Sequence, residues 1–168
     1  MKMLDVIQKK IISADELNHL TGIWRFKSEK IVFTNGCFDL LHLGHIDYLA
    51  KTADEGHRLI VGLNSDDSTR RLKGVHRPIN DQMQRSMIIA SLHFVDAVVI
   101  FDEDTPLELI KKVQPDILVK GADYTPENIV GAEIVLGRGG IVKTIPFLPG
   151  YSTTGIEARI KTGNNLNH

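Results

Sequence analysis

The sequence has little cysteine, no excess of positive charge and no long apolar run, and each shortage excludes a class of protein. Cys37 is the single cysteine among 168 residues, so an internal disulfide framework and a cysteine-based zinc site are excluded. The formal net charge of -1 argues against a general binder of nucleic acid or membrane surfaces, because such proteins are usually basic. No apolar run approaches the roughly 18 residues that span a bilayer. The N-terminus has no apolar signal core, so we expect a cytoplasmic protein.

The sequence does contain strand patterns that alternate with helix patterns. Its 42% hydrophobic residues and its length suit one domain with a sizeable core. Short connections between alternating strands and helices indicate an α/β fold, with a parallel sheet covered by helices on both faces. The strands are predicted at residues 31–34, 58–63, 97–101, 117–119 and 141–145. We expect an N-terminal helical extension (1–28), the main domain (29–162) and a disordered tail (163–168).

Two segments carry specific expectations about helices. Leu17, Leu20 and Trp24 follow a capping box at helical spacing, and this leading helix suits either a dimer contact or a cover for the core. Residues 64–78 are polar and rich in bases, which predicts a mobile loop with one short helical turn. A helix capped by Asn80 should follow, with Met83, Met87 and Ala90 facing inward.

The rest of the chain is organised around residues 31–45. A β-branched and aromatic run ends in the turn pair Asn35-Gly36, and a helical pattern begins near Leu43. Backbone N–H groups and the positive end of a helix dipole then meet at the carboxyl edge of the sheet, which favours phosphate binding. His42 and His45 lie at that mouth, where imidazoles can donate to a phosphate as its charge grows. Zinc is the rival ligand, but it needs more than two histidines.

The chemically rich stretches all follow predicted strands, at residues 35–45, 64–77, 120–123 and 150–154. Ligands in parallel α/β sheets bind beyond the carboxyl ends of the strands, where the strand order reverses. Four stretches at one edge therefore predict a single binding site there. The residues by themselves indicate an enzyme that handles a nucleoside triphosphate, and they assign neither its base nor its acceptor.

Several polar residues have a structural interpretation beside the functional one. Asp39 is either a turn residue or a carboxylate close to a magnesium ion that arrives with the nucleotide. The hydroxyls at 152–154 are either an N-cap or a receiver for terminal phosphates. The bases form either a solvated surface or a clamp on phosphates, and they are Arg70, Arg71, Lys73, Arg77 and Arg85.

The motifs NGCFD (35–39), HLGH (42–45) and STT (152–154) resemble the signature of the cytidylyltransferase-like nucleotidyltransferases. Within that superfamily the match is closest to the adenylyltransferases of ADP-heptose synthesis, and it covers roughly residues 13–161. The resemblance to this family, as distinct from the whole superfamily, is carried by residues 64–66, 71–74, 77–78, 85, 103–106 and 119–124.

The resemblance implies a Rossmann-like nucleotidyltransferase fold and a magnesium-dependent transfer of AMP from ATP to D-glycero-β-D-manno-heptose 1-phosphate. The implied catalytic residues are His42, His45, Lys73 and Arg85. The implied nucleotide-binding residues are Thr34, Asn35, Gly36, Phe38, Gly44, Lys120, Gly121, Asp123, Ser152 and Thr153. The implied acceptor-binding residues are Asp39, Asn64, Arg71 and Arg77. No firm protein ligand for magnesium is implied, and Asp39 is the candidate carboxylate.

The sequence departs from the family pattern in two places. Many relatives are fused to a sugar kinase, for which this length leaves no room, so a separate kinase and a separate phosphatase are expected in the pathway. Tyr151 stands where the family pattern has a cysteine, at the wall of the expected pocket. The alternatives are a glycerol-phosphate or ethanolamine-phosphate cytidylyltransferase, an FMN adenylyltransferase and a non-catalytic nucleotide sensor.

Overall fold

The computed structural model describes residues 2–122 and 128–163. Asp123 and the predicted tail beyond Gly163 lie outside the described residues. The strands are β1 (Ile31–Gly36), β2 (Arg58–Asn64), β3 (Ala97–Phe101), β4 (Ile117–Gly121) and β5 (Ile141–Ile145). The helices are α1 (Met3–Gln8), α2 (Ala14–Phe26), α3 (Leu43–Ala53), α4 (Asp66–Lys73), α5 (Gln82–Ser91), α6 (Leu107–Val113), α7 (Ala132–Gly137) and α8 (Thr153–Thr162).

The strands form one parallel sheet in the order β3-β2-β1-β4-β5. The chain first adds strands on one side of β1 and then returns to add β4 on the other side. The strand order therefore reverses between β1 and β4, and the carboxyl ends of these two strands open a crevice. This arrangement confirms the predicted α/β parallel sheet and gives it a Rossmann-like order.

Strands β1 to β4 are buried on both faces, as expected for strands that are mostly apolar runs, whereas the edge strand β5 is more exposed. Ile31 and Phe33 point to one face, where α2, α6 and α7 supply the partner side chains. Val32 points to the opposite face, which α3 and α5 cover with Leu49 and Ile89 among others. Since alternate residues of β1 are locked into opposite cores, the register that places Asn35 and Gly36 at the crevice is fixed.

The N-terminal segment is joined to the sheet and to the core. The Ile12 N–H donates to the Val98 carbonyl at 3.0 Å, and the Val98 N–H donates to the Lys10 carbonyl at 2.8 Å. Leu17 and Trp24 of α2 belong to the buried core on the α6 side. Of the two roles expected for this helix, the structure uses its apolar face as a cover for the core. The domain boundaries at 28 and 162 stay a prediction.

The basic segment after β2 is more ordered than expected, because residues 66–73 form the two-turn helix α4. Ser65 caps it by accepting a hydrogen bond from the Ser68 N–H at 3.0 Å. Acidic residues lie in its first turn and basic residues in its last turn, an arrangement that complements the helix dipole. The prediction of a mobile loop was wrong here because the polar composition hid these capping signals.

The following helix, α5, also differs from expectation in its details. Asp81 provides the N-cap instead of Asn80, and its carboxylate accepts from the Gln84 N–H at 2.8 Å. The buried side of α5 consists of Arg85, Ser86, Ile89 and Ala90, so Met83 faces outward, contrary to the prediction, and is 62% exposed. Ala90 is buried as predicted. Among residues 2–122 and 128–163, none of the helices combines the length and the hydropathy that crossing a bilayer requires.

Candidate active site

A cavity of about 740 Å³ opens at the carboxyl ends of β1 and β4, within the size range of small-ligand sites. All four predicted stretches meet there, through Asn35, Lys73 and Lys120 and through Thr153 and Thr154 of the C-terminal helix. Further predicted residues in its wall are Gly36, Phe38, Asp39, His45, Asn64, Arg77 and Gly121. The sheet edge therefore brings most of the predicted site residues together.

The two histidines lie at the start of α3, where His42 is the N-cap residue and His45 is in the first turn. Their rings are stacked with centroids 3.8 Å apart and planes 20° apart. Phe38 packs edge-on against His45 at 5.3 Å, and only His45 of the pair lines the cavity wall. The stack thus presents one imidazole to a ligand and uses the other as its support.

Burial keeps both imidazoles neutral at physiological pH. Desolvation lowers the pKa of His42, and desolvation with the neighbouring His42 lowers the pKa of His45 to about 4, against a smaller opposing effect of the Leu40 carbonyl. The Nδ1 atoms of both rings are buried without a hydrogen-bond partner within the described part of the chain. A neutral imidazole still carries one N–H, so His45 can donate to a phosphate oxygen.

Gly44 is required by the close approach of two neighbours. A Cβ atom built at this position would lie 3.1 Å from the His42 ring and 3.1 Å from the Tyr151 Cβ. Any side chain would push apart the histidine stack and the segment that leads into α8. Gly44 therefore shapes the wall indirectly, and Tyr151 comes directly against the start of α3.

Lys120 and Asn35 connect the two strands that flank the crevice. The Lys120 ammonium donates to the Asn35 Oδ1, and both residues line the cavity. This pairing places a positive charge at the reversal point of the sheet, where a phosphate or the polar edge of a base would lie.

Lys73 and Arg71 lie near each other on α4 but have different surroundings. Lys73 lines the cavity and has no hydrogen-bond or ion-pair partner among the residues described. The Arg71 guanidinium donates to Asp104 at 2.6 Å and to the Asp102 carbonyl, and Arg71 is absent from the cavity wall. Lys73 is therefore the base of α4 that is available to a phosphate.

Arg85 lies beneath the cavity, contrary to the predicted catalytic contact. Its side chain is fully buried and donates to Asp66 at 2.7 Å. It also donates to three backbone carbonyls, at 2.7–3.0 Å, which belong to Cys37, Asn64 and Asn80. Four hydrogen bonds from one buried guanidinium leave it no surface for a ligand. Arg85 instead joins the loop after β1 to the end of β2, the start of α4 and the segment before α5.

Two further predicted residues are absent from the cavity wall. Thr34 is fully buried and shares a 2.8 Å hydrogen bond with the Tyr48 hydroxyl, so it positions Tyr48, which lines the cavity. The Ser152 hydroxyl caps α8 by accepting from the Gly155 N–H at 3.0 Å. Thr153 and the neighbouring Thr154 are the hydroxyl residues of this turn in the wall.

Asp39 is held in a network of its own. One carboxylate oxygen accepts from the Ile79 and Asn80 N–H groups at 2.8 and 3.0 Å, and the other accepts from Arg77 at 3.0 Å. Arg77 also donates to Glu157 of α8, and these two carboxylates raise its pKa. Asp39 therefore braces the loop between α4 and α5.

The donor set does not form a protein cage for a metal ion. No group of three or more histidine, cysteine or acidic residues suited to a metal occurs in residues 2–122 and 128–163, and Asp39 already accepts three hydrogen bonds. Magnesium binds proteins through one or two carboxylates while phosphates and water complete its shell. The residues fit an ion that enters with a nucleotide and is held mainly by phosphate oxygens.

Sequence reasoning did not select several residues of the wall, because none of them belongs to a short motif. Tyr48 lies one turn after His45 on α3, and Phe147, which follows β5, packs on it at 5.5 Å. Ile129 and Val130 add an apolar side near Gly121. Helical spacing from His45 was the available signal for Tyr48, whereas Phe147, Ile129 and Val130 required the tertiary fold.

A parallel sheet with this strand order and a cavity at its reversal point are typical of α/β proteins that bind nucleotides. The chain belongs to the cytidylyltransferase-like family, which matches it over residues 33–159. This match confirms the resemblance seen in the sequence.

Similar proteins include the bifunctional protein HldE of two bacteria. The chain is 52% identical to that of Geotalea uraniireducens over 155 residues and 54% identical to that of Campylobacter curvus over 154 residues. Each match covers 92% of this chain and 32% of the relative. The chain thus spans about a third of the length of these relatives.

Solved structures give the same fold. A lipopolysaccharide core biosynthesis protein from Thermoplasma volcanium superposes with a TM-score of 0.58 and 30% identity, over 71% of this chain and 97% of that one. A pantoate-beta-alanine ligase from Francisella tularensis gives a TM-score of 0.59 at 16% identity, over 94% of this chain and 79% of that one. The second similarity concerns the fold alone.

Proposed function

We propose that the protein is a nucleotidyltransferase that transfers AMP from ATP to D-glycero-β-D-manno-heptose 1-phosphate. The products are ADP-D-glycero-β-D-manno-heptose and pyrophosphate. The observation that carries the proposal is the stacked, neutral pair of His42 and His45, of which His45 lines one cavity with Lys73 and Thr153. The identity of about half to HldE proteins supports the choice of acceptor.

The reaction follows from charge and position. A phosphate oxygen of the sugar attacks the α-phosphorus, the new P–O bond forms in line, and the bond to the β-phosphate breaks with its electrons on pyrophosphate. His45 donates to the transferring phosphate, while Lys73 neutralises the triphosphate or the acceptor phosphate. Such catalysis consists mainly of positioning and charge stabilisation, and no covalent intermediate with the protein is required.

The other predicted contacts form the binding surfaces. Thr153 and the capped start of α8 receive the β- and γ-phosphates, and Lys120 with Gly121 lies against the ribose and base. Asn64 lies on the acceptor side. Magnesium is proposed as the accompanying ion because it neutralises triphosphate charge while phosphate oxygens and water surround it.

The proposal also places the protein in its surroundings. Its acceptor is a sugar 1-phosphate, so a kinase must act earlier to supply that phosphate, and we propose that a phosphatase acts in the same pathway. The product would serve lipopolysaccharide core assembly, which implies a cytoplasmic protein. We also propose that the protein forms a homodimer or a larger homo-oligomer.

The direct test supplies ATP or CTP with magnesium and either β-heptose 1-phosphate or glycerol 3-phosphate, and measures pyrophosphate release. Release only with ATP and the heptose supports the proposal. Release only with CTP and glycerol 3-phosphate would identify a cytidylyltransferase of the same fold. If neither pair reacts, FMN with ATP and ethanolamine phosphate with CTP test the other transferase alternatives.

A further inference from the structure

The C-terminal helix α8 has little packing to hold it in place. None of its residues is buried, although its first turn supplies Thr153 and Thr154 to the cavity. A ten-residue helix is marginal in water without tertiary contacts. Its position over the cavity must therefore depend strongly on the few side chains that attach it.

Glu157 provides such an attachment. Among the hydrogen bonds and ion pairs of the described residues, its contact with Arg77 joins a side chain of α8 to another element. The two side chains are about one-fifth exposed, at 20% for Glu157 and 21% for Arg77. Partial exclusion of water strengthens a charge-assisted hydrogen bond of this kind.

The attachment extends to Asp39 in the loop after β1. Arg77 donates through its other nitrogen to Asp39 at 3.0 Å, and Asp39 in turn accepts from the Ile79 and Asn80 N–H groups. We call Asp39, Arg77 and Glu157 the clasp. It joins the loop after β1, the loop before α5 and the C-terminal helix, three segments that surround the cavity.

We propose that Glu157 is a positioning residue which, through Arg77, holds the first turn of α8 where Thr153 and Thr154 meet the phosphates of the nucleotide. This inference rests on the proposed function in that it requires a nucleotide in the cavity. Glu157 itself does not contact the reacting atoms. Its carboxylate is paired with Arg77, which weakens the repulsion between Glu157 and a triphosphate.

This arrangement predicts unequal effects at the two ends of the Arg77–Glu157 pair. Glu157→Ala releases α8 but leaves Arg77 paired with Asp39. Arg77→Met releases α8 and also leaves two carboxylates unpaired beside the phosphates, which adds repulsion of like charges. The arginine variant should therefore weaken nucleotide binding more than the glutamate variant.

The test uses the full chain and two measurements that need no acceptor: amide hydrogen exchange over residues 153–162, and the dissociation constants of ATP and CTP with magnesium. We expect Glu157→Ala to speed exchange in α8 about tenfold and to weaken binding of the preferred nucleotide about fivefold. Exchange in β1 should not change. Glu157→Gln keeps a hydrogen-bond acceptor. It should therefore retain part of the exchange protection of α8 and part of the nucleotide affinity that Glu157→Ala loses.

Glu133→Ala is the matched control, because Glu133 is exposed on α7 and outside the cavity wall. Unchanged exchange in α8, or faster exchange with unchanged nucleotide binding, would overturn the inference. If the wild-type protein binds a nucleotide but makes no ADP-heptose, the proposed function fails while these measurements still judge the clasp. Binding of neither nucleotide would overturn both.

Discussion

The imidazole rings of His42 and His45 lie parallel within 20°, with centroids 3.8 Å apart. Two protonated rings at this distance would repel each other, and burial further disfavours the charged form. The pKa of His45 is accordingly lowered to about 4. The geometry thus supplies a neutral hydrogen-bond donor at the cavity, with consequences for stability and for turnover.

The first prediction concerns the stability of the fold against acid. The unfolded chain takes up a proton at His45 near its ordinary pKa of 6.5, whereas the folded chain resists until about 4. Because the unfolded state then binds more protons, the free energy of unfolding falls as the pH drops from 6.5 to 4, by on the order of 3 kcal/mol. His45→Gln should reduce this dependence of the unfolding free energy on pH, as measured by urea denaturation.

The lowered pKa of His42 acts in the same direction, so the slope should shrink without vanishing. His19→Gln, on the exposed face of α2, serves as the control and should retain the slope of the wild-type protein. Equal slopes for His45→Gln and the wild-type protein would show that His45 titrates alike in both states.

The second prediction concerns turnover. His45→Ala should lower kcat on the order of 10²-fold or more, the scale of losing a transition-state donor, and should leave ATP binding nearly unchanged. Steady-state kinetics and calorimetry measure the two effects, with His19→Ala as the control. A non-catalytic sensor would instead lose binding or show no change, and near wild-type turnover would refute the role of His45.

The third prediction concerns Lys73. It lines the cavity and has no partner among the described residues, so its charge is available to a phosphate. Lys73→Ala should lower kcat/KM about tenfold or more while leaving the free energy of unfolding unchanged. Lys112→Ala on α6 is the control, because Lys112 is exposed and outside the cavity wall. Equal kcat/KM for both variants would contradict this role.

The fourth prediction concerns Arg85. Arg85→Met removes a buried cation that bonds Asp66 and three carbonyls, so the free energy of unfolding should fall by on the order of 3 kcal/mol. Arg85→Lys should not restore it, because an ammonium cannot reproduce the planar fork. Arg138→Met, at an exposed position after α7, should change little. Wild-type stability combined with lost turnover would instead support a catalytic contact.

Local signals in the sequence were sufficient for the strands and for the position of the site. The apolar run of β1 ends at Asn35-Gly36, and the helix that begins at Leu43 follows, as the pattern predicted. Parallel strands bring their carboxyl ends to one edge of the sheet. The sequence pattern alone therefore predicts that Lys120 and Thr153 lie near His45. These predictions follow from the periodicity of apolar residues and from the order of strands and helices along the chain.

The interior roles of Arg85, Thr34 and Asp39 depend on partners distant in sequence. In the sequence Arg85 looks like the other basic residues near it. In the structure, however, it donates to the carbonyl of Cys37, 48 positions earlier. Glu157 meets Arg77 across 80 positions, and no spacing rule predicts that contact. Sequence patterns show which residues can reach the sheet edge, whereas the packing decides which of them face a ligand.

The central claim is that the sugar phosphate oxygen attacks the α-phosphorus of ATP. The most direct test supplies β-heptose 1-phosphate with heavy-oxygen label in its non-bridging phosphate oxygens and analyses the products by mass spectrometry. The account predicts that ADP-heptose carries all of the label and that pyrophosphate carries none. Label in pyrophosphate, or its loss from ADP-heptose, would contradict direct adenylyl transfer.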